Sequence, residues 1–569
     1  MRSLIRASIG GLLAAAAVAT AANGGSAGPA PPLTAEFDWF DYRGSDPTDA
    51  IASPGPGQYR NPILQGFYPD PSVLRVGRDF YLVTSTFAWF PGLPVFRSRD
   101  LVNWTQIGNA IDRADQLDFK RLGLSRGVFA PTIHFRDGLF YILNTCVDCG
   151  GNFAITARDP AGPWSDPAWL PDLEGGIDPS LFFDTDGSAW IVNNGPPEGE
   201  PLYEGHRAIW IQRFDPKTLT TSGPRKVLVN GGVDISTKPV WIEGPNIIKK
   251  DGDYYLICAE GGTAEGHSQV VLRSRKADGP YEPFAGNPIL TQRDLPRDRP
   301  HPITSAGHAQ LVTAPDGSWW STFLAVRPYR GDFYNTGRET FLLPVEWKEG
   351  WPRITAPGQV IPHVADAPRL PTGAAPPVPT SGPFAIREEF DAARLPPYWM
   401  MMRNPRERWY ALGKGRLSLQ ARPVALSENA NPSLLARRQQ HMNAAASTAV
   451  RFAPRGEGDE AGLVALQTDD YSFFLGVRRR DGGDRIELRR RAGKEERIVA
   501  SAPLPARRGD PVQLRITARG GEYDFAYAPR PGAWTELRRG EDGTILSTAT
   551  AGGFVGAVFG LYASSGTKQ

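Results

Sequence analysis

Alternating apolar runs recur along this chain in pairs, and a tight-turn signal splits each pair. Asp70-Pro71-Ser72-Val73-Leu74 is followed, after Gly77, by Phe80-Tyr81-Leu82. Ala130-Pro131-Thr132-Ile133-His134-Phe135 is followed, after Asp137-Gly138, by Leu139-Phe140-Tyr141. Asp178-Pro179-Ser180-Leu181-Phe182-Phe183 precedes Asp186-Gly187 and Ala189-Trp190. Gly244-Pro245-Asn246-Ile247-Ile248 precedes Asp251-Gly252 and Tyr254-Tyr255. A fifth copy, His308-Ala309-Gln310-Leu311-Val312, lacks the proline and keeps Asp316-Gly317 before Trp319-Trp320. Asp-Gly between alternating apolar runs specifies a hairpin, because glycine takes the positive φ that the turn needs. Hairpins repeating every 50 to 65 residues or so (roughly) predict a five-bladed β-propeller, one blade per repeat. Proline at the first position of a strand costs the ladder little.

The Pro-, Ala- and Gly-rich stretch 356–383 ends that pattern and reads as a linker or a wrapping segment. Beyond it, runs such as Ser472-Phe473-Phe474-Leu475-Gly476-Val477 and Val512-Gln513-Leu514-Arg515-Ile516 alternate between Gly-rich turns. These predict an antiparallel, jelly-roll-like β-sandwich. The expected architecture is therefore all-β: a propeller over 58–355, the linker, and a sandwich over 384–566.

Length agrees with this division, since 569 residues exceed what one core accommodates. The first residues add a compartment. Arg2 and Arg6 precede the apolar stretch Ile9 to Ala19, and Ala19-Thr20-Ala21 offers a small-residue cleavage site. This is the pattern of a secretory signal peptide over 1–22, and it implies a secreted or periplasmic protein with no membrane association after cleavage. Acidic and basic residues nearly cancel (61 against 63), which argues against a nucleic-acid partner. The Arg-rich stretch Arg478 to Arg491 is broken by Asp481, Asp484 and Glu487 and reads as a solvated strand face. Three cysteines exclude a disulfide framework; Cys146 and Cys149, spaced C-x-x-C, form either a local disulfide or two thiols.

Candidate chemistry comes from the repeat. The innermost strands of a propeller begin around its central channel, so residues heading the repeats converge there. Asp70, Asp178, Glu243 (one before Gly244) and His308 all occupy such heads. An Asp before Pro also serves as a turn or capping residue, and Glu243 could be satisfied by backbone donors. Glycoside hydrolysis, however, needs one protonated carboxyl and one carboxylate on opposite sides of a bond, which different blades can supply. Glu243 follows Val240-Trp241-Ile242, an apolar setting that raises a carboxyl pKa and suits a general acid. His308 could be a core histidine, a substrate donor or a metal ligand.

At these residues the sequence resembles glycoside hydrolase family 43, in particular its β-xylosidase-like members with a C-terminal β-sandwich. The matching motifs are Asn61-Pro62-Ile63-Leu64-Gln65-Gly66-Phe67-Tyr68-Pro69-Asp70-Pro71-Ser72, Phe87-Ala88-Trp89-Phe90-Pro91-Gly92, Gly176-Ile177-Asp178-Pro179-Ser180 and Ile242-Glu243-Gly244-Pro245. The resemblance implies inversion with Asp70 as general base, Glu243 as general acid, and Asp178 tuning and orienting the acid. It further implies sugar contacts by Arg338, Trp89, Phe90 and Phe129, and a central His308 that in some members coordinates calcium. No cofactor is otherwise implied. Phe554, within Gly552-Gly553-Phe554-Val555-Gly556, is the candidate for an aromatic loop reaching the site from the sandwich, though a core strand residue would look the same. The expected activity is exo-hydrolysis of β-1,4-xylosidic bonds at the non-reducing end of xylo-oligosaccharides or arabinoxylan-derived fragments. An α-L-arabinofuranosidase or a bifunctional enzyme is the alternative within this class. A retaining, fructan-cleaving propeller enzyme is the nearest other fold match, and a non-catalytic carbohydrate-binding protein the alternative from another class. The sequence leaves the oligomeric state open.

Overall fold

The computed structural model describes residues 31–566; the leader and its cleavage site lie outside them. Five antiparallel sheets, three of four strands and two of five, follow one another between residues 72 and 353. Their first strands are Ser72–Val76, Thr132–Arg136, Ile177–Phe183, Glu243–Lys250 and Thr304–Thr313. Each first strand packs against the next, and the fifth packs against the first, so the five close a ring. Side chains lock this ring across the blades. Ser72 Oγ donates to Gln310 Oε1 at 2.7 Å and accepts from the Ile133 N–H at 3.0 Å. Thr132 Oγ1 donates to the Pro179 carbonyl at 2.7 Å. The segment before blade one closes the circle on blade five, where Asn61 exchanges two 2.9 Å hydrogen bonds with the Leu342 backbone.

The Asp-Gly turns divide into two kinds. Asp137-Gly138 and Asp251-Gly252 hold positive φ at both residues, as a two-residue hairpin requires. At Asp186-Gly187 and Asp316-Gly317 only the glycine does, and the turn is longer, with Asp184 N–H donating to Ser188 O and Ala314 N–H to Ser318 O. One dipeptide thus serves two loop lengths.

The sandwich packs a six-stranded sheet on an eight-stranded one. Its core holds Leu463, Phe473, Leu475 and Phe559 from the first sheet against Phe37, Leu514, Ile516 and Phe525 from the second. Phe37 belongs to Thr34–Ser45, an N-terminal strand that pairs with Asn443–Arg451, Phe384–Glu388 and Leu417–Gln420. The repeat pattern left this strand unassigned. It crosses to the sandwich before the propeller begins, and Val364–Asp366 of the wrapping segment pairs back on Gln58–Arg60. The Arg-rich hairpin lies in the six-stranded sheet, where Arg489 donates to Glu460 and Arg478 and Arg480 flank buried Glu487.

The other face of the six-stranded sheet is not free. Leu434, Val464, Phe474 and Tyr562 share one apolar cluster with Phe87, Trp89, Leu124 and Val128 of the propeller. A buried charge network fastens the same junction. Asp46, just past the N-terminal strand, accepts from Arg327 Nη1 at 2.5 Å, from Gln65 Nε2 at 2.6 Å and from the Met442 N–H at 2.8 Å. Arg327 also grips Glu339 through Nε and Nη2 at 2.6 and 2.9 Å. Removing one member of such a network leaves a buried charge without its partner. Asp46→Ala is therefore expected to cost about 3–5 kcal/mol, read as a lowered urea midpoint, while Arg43→Ala on the same strand's exposed face should cost under about 0.5 kcal/mol.

Candidate active site

Four of the five blade heads share one backbone conformation. Asp70, Asp178, Gly244 and His308 have φ of 56°, 55°, 58° and 50°. In blades three, four and five the strand register slips at this point, between Ile177 and Ser180, Glu243 and Asn246, and Gly307 and Gln310. The left-handed residue turns each strand head out of its ladder and into the channel, at about 1–2 kcal/mol for each non-glycine residue. Blade four cannot place a side chain at that position. A Cβ on Gly244 would lie 2.9 Å from the His308 ring, so the carboxyl comes from the preceding residue, Glu243. In blade two the head is Ala130, which lines the cavity and brings no polar group.

These residues face one cavity of about 420 Å³, together with Phe87, Arg126, Phe129, Trp241, Thr263, Arg338 and Phe554. The three carboxyls are buried there, and their surroundings pull them apart. Burial pushes Asp70 up, but Arg338, His308 and Ser85 more than reverse it and hold its carboxyl below the usual range. Arg338 Nη1 donates to Asp70 Oδ1 at 3.1 Å and Ser85 Oγ to Oδ2 at 2.5 Å. Glu243 goes the other way. Burial, then the nearby Asp178 and Asp70 charges, raise it well above its ordinary value, and Arg338 and Arg207 offset only part of this. Asp178 is pushed up to about 6, chiefly by burial, and accepts the Gly244 N–H at 3.0 Å. The surroundings thus favour the ionised form at Asp70 and the protonated form at Glu243. That is the charge distribution of a general base facing a general acid.

The walls come from both domains. Phe87 stacks on Phe554 at 5.8 Å, and Phe129 meets both rings edge-on at 5.4 and 5.8 Å. The Arg338 guanidinium lies 5.2 Å from the Phe554 ring. The sandwich also fixes the arginine's own loop, since Asn335 donates to the Tyr523 hydroxyl and the Gly543 carbonyl. Gly337 abuts Gly556 so closely that a Cβ would come 2.9 Å from its Cα. Phe554 is held in place by its N–H, which donates to Ser125 Oγ at 2.8 Å.

Two expected contacts need correction. Trp89 and Phe90 do not line the cavity; Trp89 is fully buried in the junction between the domains, and both pair with Met401–Met402 of the sandwich side. Phe87, two residues before Trp89, is the aromatic that reaches the site. It takes a left-handed φ of 55°, which turns the chain so that this ring faces the cavity while the following residues enter the core. Trp241 and Arg126 also line the cavity; Trp241 belongs to the apolar run Val240-Trp241-Ile242 before Glu243. Cys146 and Cys149 are joined as a disulfide beside Val147, a cavity residue, and Asp148 of that turn holds Arg126. His308 is the residue expected at the centre of the propeller, and it lines the cavity. Its nearest carboxylate, Asp70, at 4.0 Å, is already engaged by Arg338, and no group of three His, Cys, Asp or Glu side chains among the described residues could enclose a metal ion.

The family model described as Glycosyl hydrolases family 43 matches residues 59–352, and that of the Beta xylosidase C-terminal Concanavalin A-like domain matches 387–569. The chain belongs to glycoside hydrolase family 43. Among family members it is 37% identical over 514 residues to a xylosidase/arabinosidase of Butyrivibrio fibrisolvens, covering 89% of this chain and 96% of that one. It is also 37% identical to a non-reducing end alpha-L-arabinofuranosidase of Bacteroides ovatus, over 89% and 91% of the two chains. A crystal structure of a GH43_12 protein from a capybara gut metagenome superposes with a TM-score of 0.85 at 39% identity, over 94% of this chain and 100% of that one. A xylan beta-1,4-xylosidase from Bacillus halodurans gives 0.80 at 32% identity, over 89% and 97%. The all-β propeller and sandwich expected from the sequence are the family 43 arrangement, and the chain is a glycoside hydrolase.

Phe554 is half-buried and bridges the domains only at the cavity edge. Phe554→Ala should lower kcat/KM at least about ten-fold and cost under about 1 kcal/mol in a denaturant melt, separating a site wall from a core residue.

Proposed function

We propose that the chain is an inverting exo-glycosidase that releases xylose from the non-reducing end of β-1,4-linked xylo-oligosaccharides. The observation that carries this reading is the opposite displacement of two carboxyls in one cavity. Asp70, ionised, takes a proton from water as the water attacks the anomeric carbon. Glu243, protonated, delivers its proton to the departing glycosidic oxygen. Above its own pKa Asp178 is an anion, and its charge favours the protonated form of Glu243. Arg338, between Asp70 and the Phe554 ring, is placed to donate to sugar hydroxyls. Phe554 supports end-wise attack, because this residue of a sandwich loop contributes to the cavity wall.

The names of the relatives divide between xylosidase and arabinofuranosidase, which supports a second reading in which the same pocket accepts terminal α-L-arabinofuranosyl units. Rates on xylobiose, xylotriose and arabinofuranosyl-substituted xylo-oligosaccharides decide between them. Xylose release with no arabinose supports the first reading, and arabinose release alone overturns it. The leader sequence places the protein outside the cytoplasm in this proposal, and the Cys146–Cys149 disulfide supports an oxidising compartment.

The roles separate by leaving group. Glu243→Gln should lose about 10³-fold on xylobiose and far less on an activated aryl xyloside, whereas Asp70→Asn should lose about as much on both. A base works above its pKa and an acid below it, so the pH–rate profile should be flat between a depressed acid limb and an elevated alkaline limb. Asp178→Asn removes one of the charges raising Glu243, and the alkaline limb should move to lower pH.

A further inference from the structure

Trp241 stands two residues before Glu243 and lines the same cavity, in a conformation that bulky side chains rarely take. Its φ is 47°, in the left-handed region, where a tryptophan is a steric outlier. The surroundings hold it there. Its N–H donates to the Gly205 carbonyl at 3.0 Å, and the carbonyl of Val240 just before it accepts from both Gly261 and Gly262, at 2.9 and 3.1 Å. The indole is fixed as firmly as the backbone. The Arg207 guanidinium lies 4.8 Å from the ring centre and does not line the cavity, so it backs the ring from behind. Arg207 is itself held by Asn194 Oδ1, which accepts from Nε at 3.0 Å and from Nη2 at 2.7 Å, and by the Gly175 carbonyl. The amide of that same Asn194 donates to the Ile242 carbonyl at 2.6 Å, between Trp241 and Glu243. One asparagine therefore ties the tryptophan's support to the carboxyl's backbone.

We infer that Trp241 is the platform for the leaving sugar and sets the preference for a pyranose at that position. The group that Glu243 protonates is the oxygen joining the cleaved sugar to the rest of the chain, so what stands just before Glu243 in the chain and lines the same cavity meets the departing side. An indole with one face backed by a cation and the other open to the cavity offers a flat apolar surface. It matches the C–H face of a xylopyranose ring. Fixing the ring beforehand removes the ordering cost of recognition, which is what the strained backbone and the Asn194–Arg207 support secure. The preference is thus exerted on the departing residue, while Arg338, Phe87 and Phe554 line other parts of the cavity.

The inference rests on the reading of the cavity as a xylosidase site, and two substrates test it apart from that reading. Xylobiose and β-D-xylosyl fluoride carry the same cleaved sugar, but fluoride has no ring to stack. Trp241→Ala should lower kcat/KM on xylobiose by about ten- to fifty-fold and change it on the fluoride by less than about three-fold. Trp241→Phe, which keeps an aromatic face and less bulk, should recover much of the loss. Arg207→Met should show the same selectivity in weaker form. Equal losses on both substrates would mean a structural role and overturn the platform; no loss on xylobiose would overturn it as well. Wild-type protein that turns over the fluoride but not xylobiose would overturn the xylosidase reading and the inference together.

Discussion

The hydrogen bond between Arg338 and Asp70 carries the rest of the site. Carboxyls buried in one cavity raise one another's pKa, and the guanidinium of Arg338, with His308 and Ser85 beside it, favours the ionised form at Asp70. Arg338 bonds to Asp70 and only moderates Glu243 from a distance, so the first stays charged while the second keeps its proton. The chemistry assigned to each residue follows from that asymmetry. So does the need for the sandwich, because the loop Asn335–Arg338 is held by Tyr523, Gly543 and Gly556 rather than by the propeller alone.

The two domains accordingly act as one body. The N-terminal strand lies in the sandwich, the chain then builds the propeller, and the wrapping segment returns it to the sandwich. Asp46 sits where this path crosses, with Arg327 and Gln65 on one side and the Met442 backbone on the other. Phe554 and Arg338 meet at the cavity because the loops that carry them are fastened across that junction. An active site built on two domains needs such a junction, since small shifts between positioned groups cost rate steeply.

Much of this was legible in the sequence, for identifiable reasons. Repeated turn signals gave the blades, and equivalent positions in the repeats gave Asp70, Asp178 and His308. Glu243 was legible only as an offset of one, and the structure supplies the reason: Gly244 takes the left-handed position where no side chain fits beside His308. The aromatic wall was read less well. Trp89 and Phe90 looked like sugar platforms, but which ring of Phe87-Ala88-Trp89-Phe90 faces the cavity depends on one positive φ at Phe87, which a sequence pattern does not reveal. Trp241 was hidden for the same reason, as an apparent part of an apolar strand. The strand Thr34–Ser45 alternates well enough to be seen, yet nothing local shows that it joins a sheet whose other strands begin hundreds of residues later. Cys146 and Cys149 illustrate a different limit, because a C-x-x-C spacing alone leaves disulfide and thiols open.

The division of labour between an ionised Asp70 and a protonated Glu243 makes a stereochemical demand. If water activated by Asp70 attacks while Glu243 protonates the departing oxygen, the anomeric centre inverts in one step. The direct measurement is proton NMR of xylobiose hydrolysis, followed before mutarotation equalises the anomers. The α-anomer of xylose appearing first from the non-reducing residue is the expected result. The β-anomer appearing first would require a covalent intermediate on a carboxylate and would contradict the account.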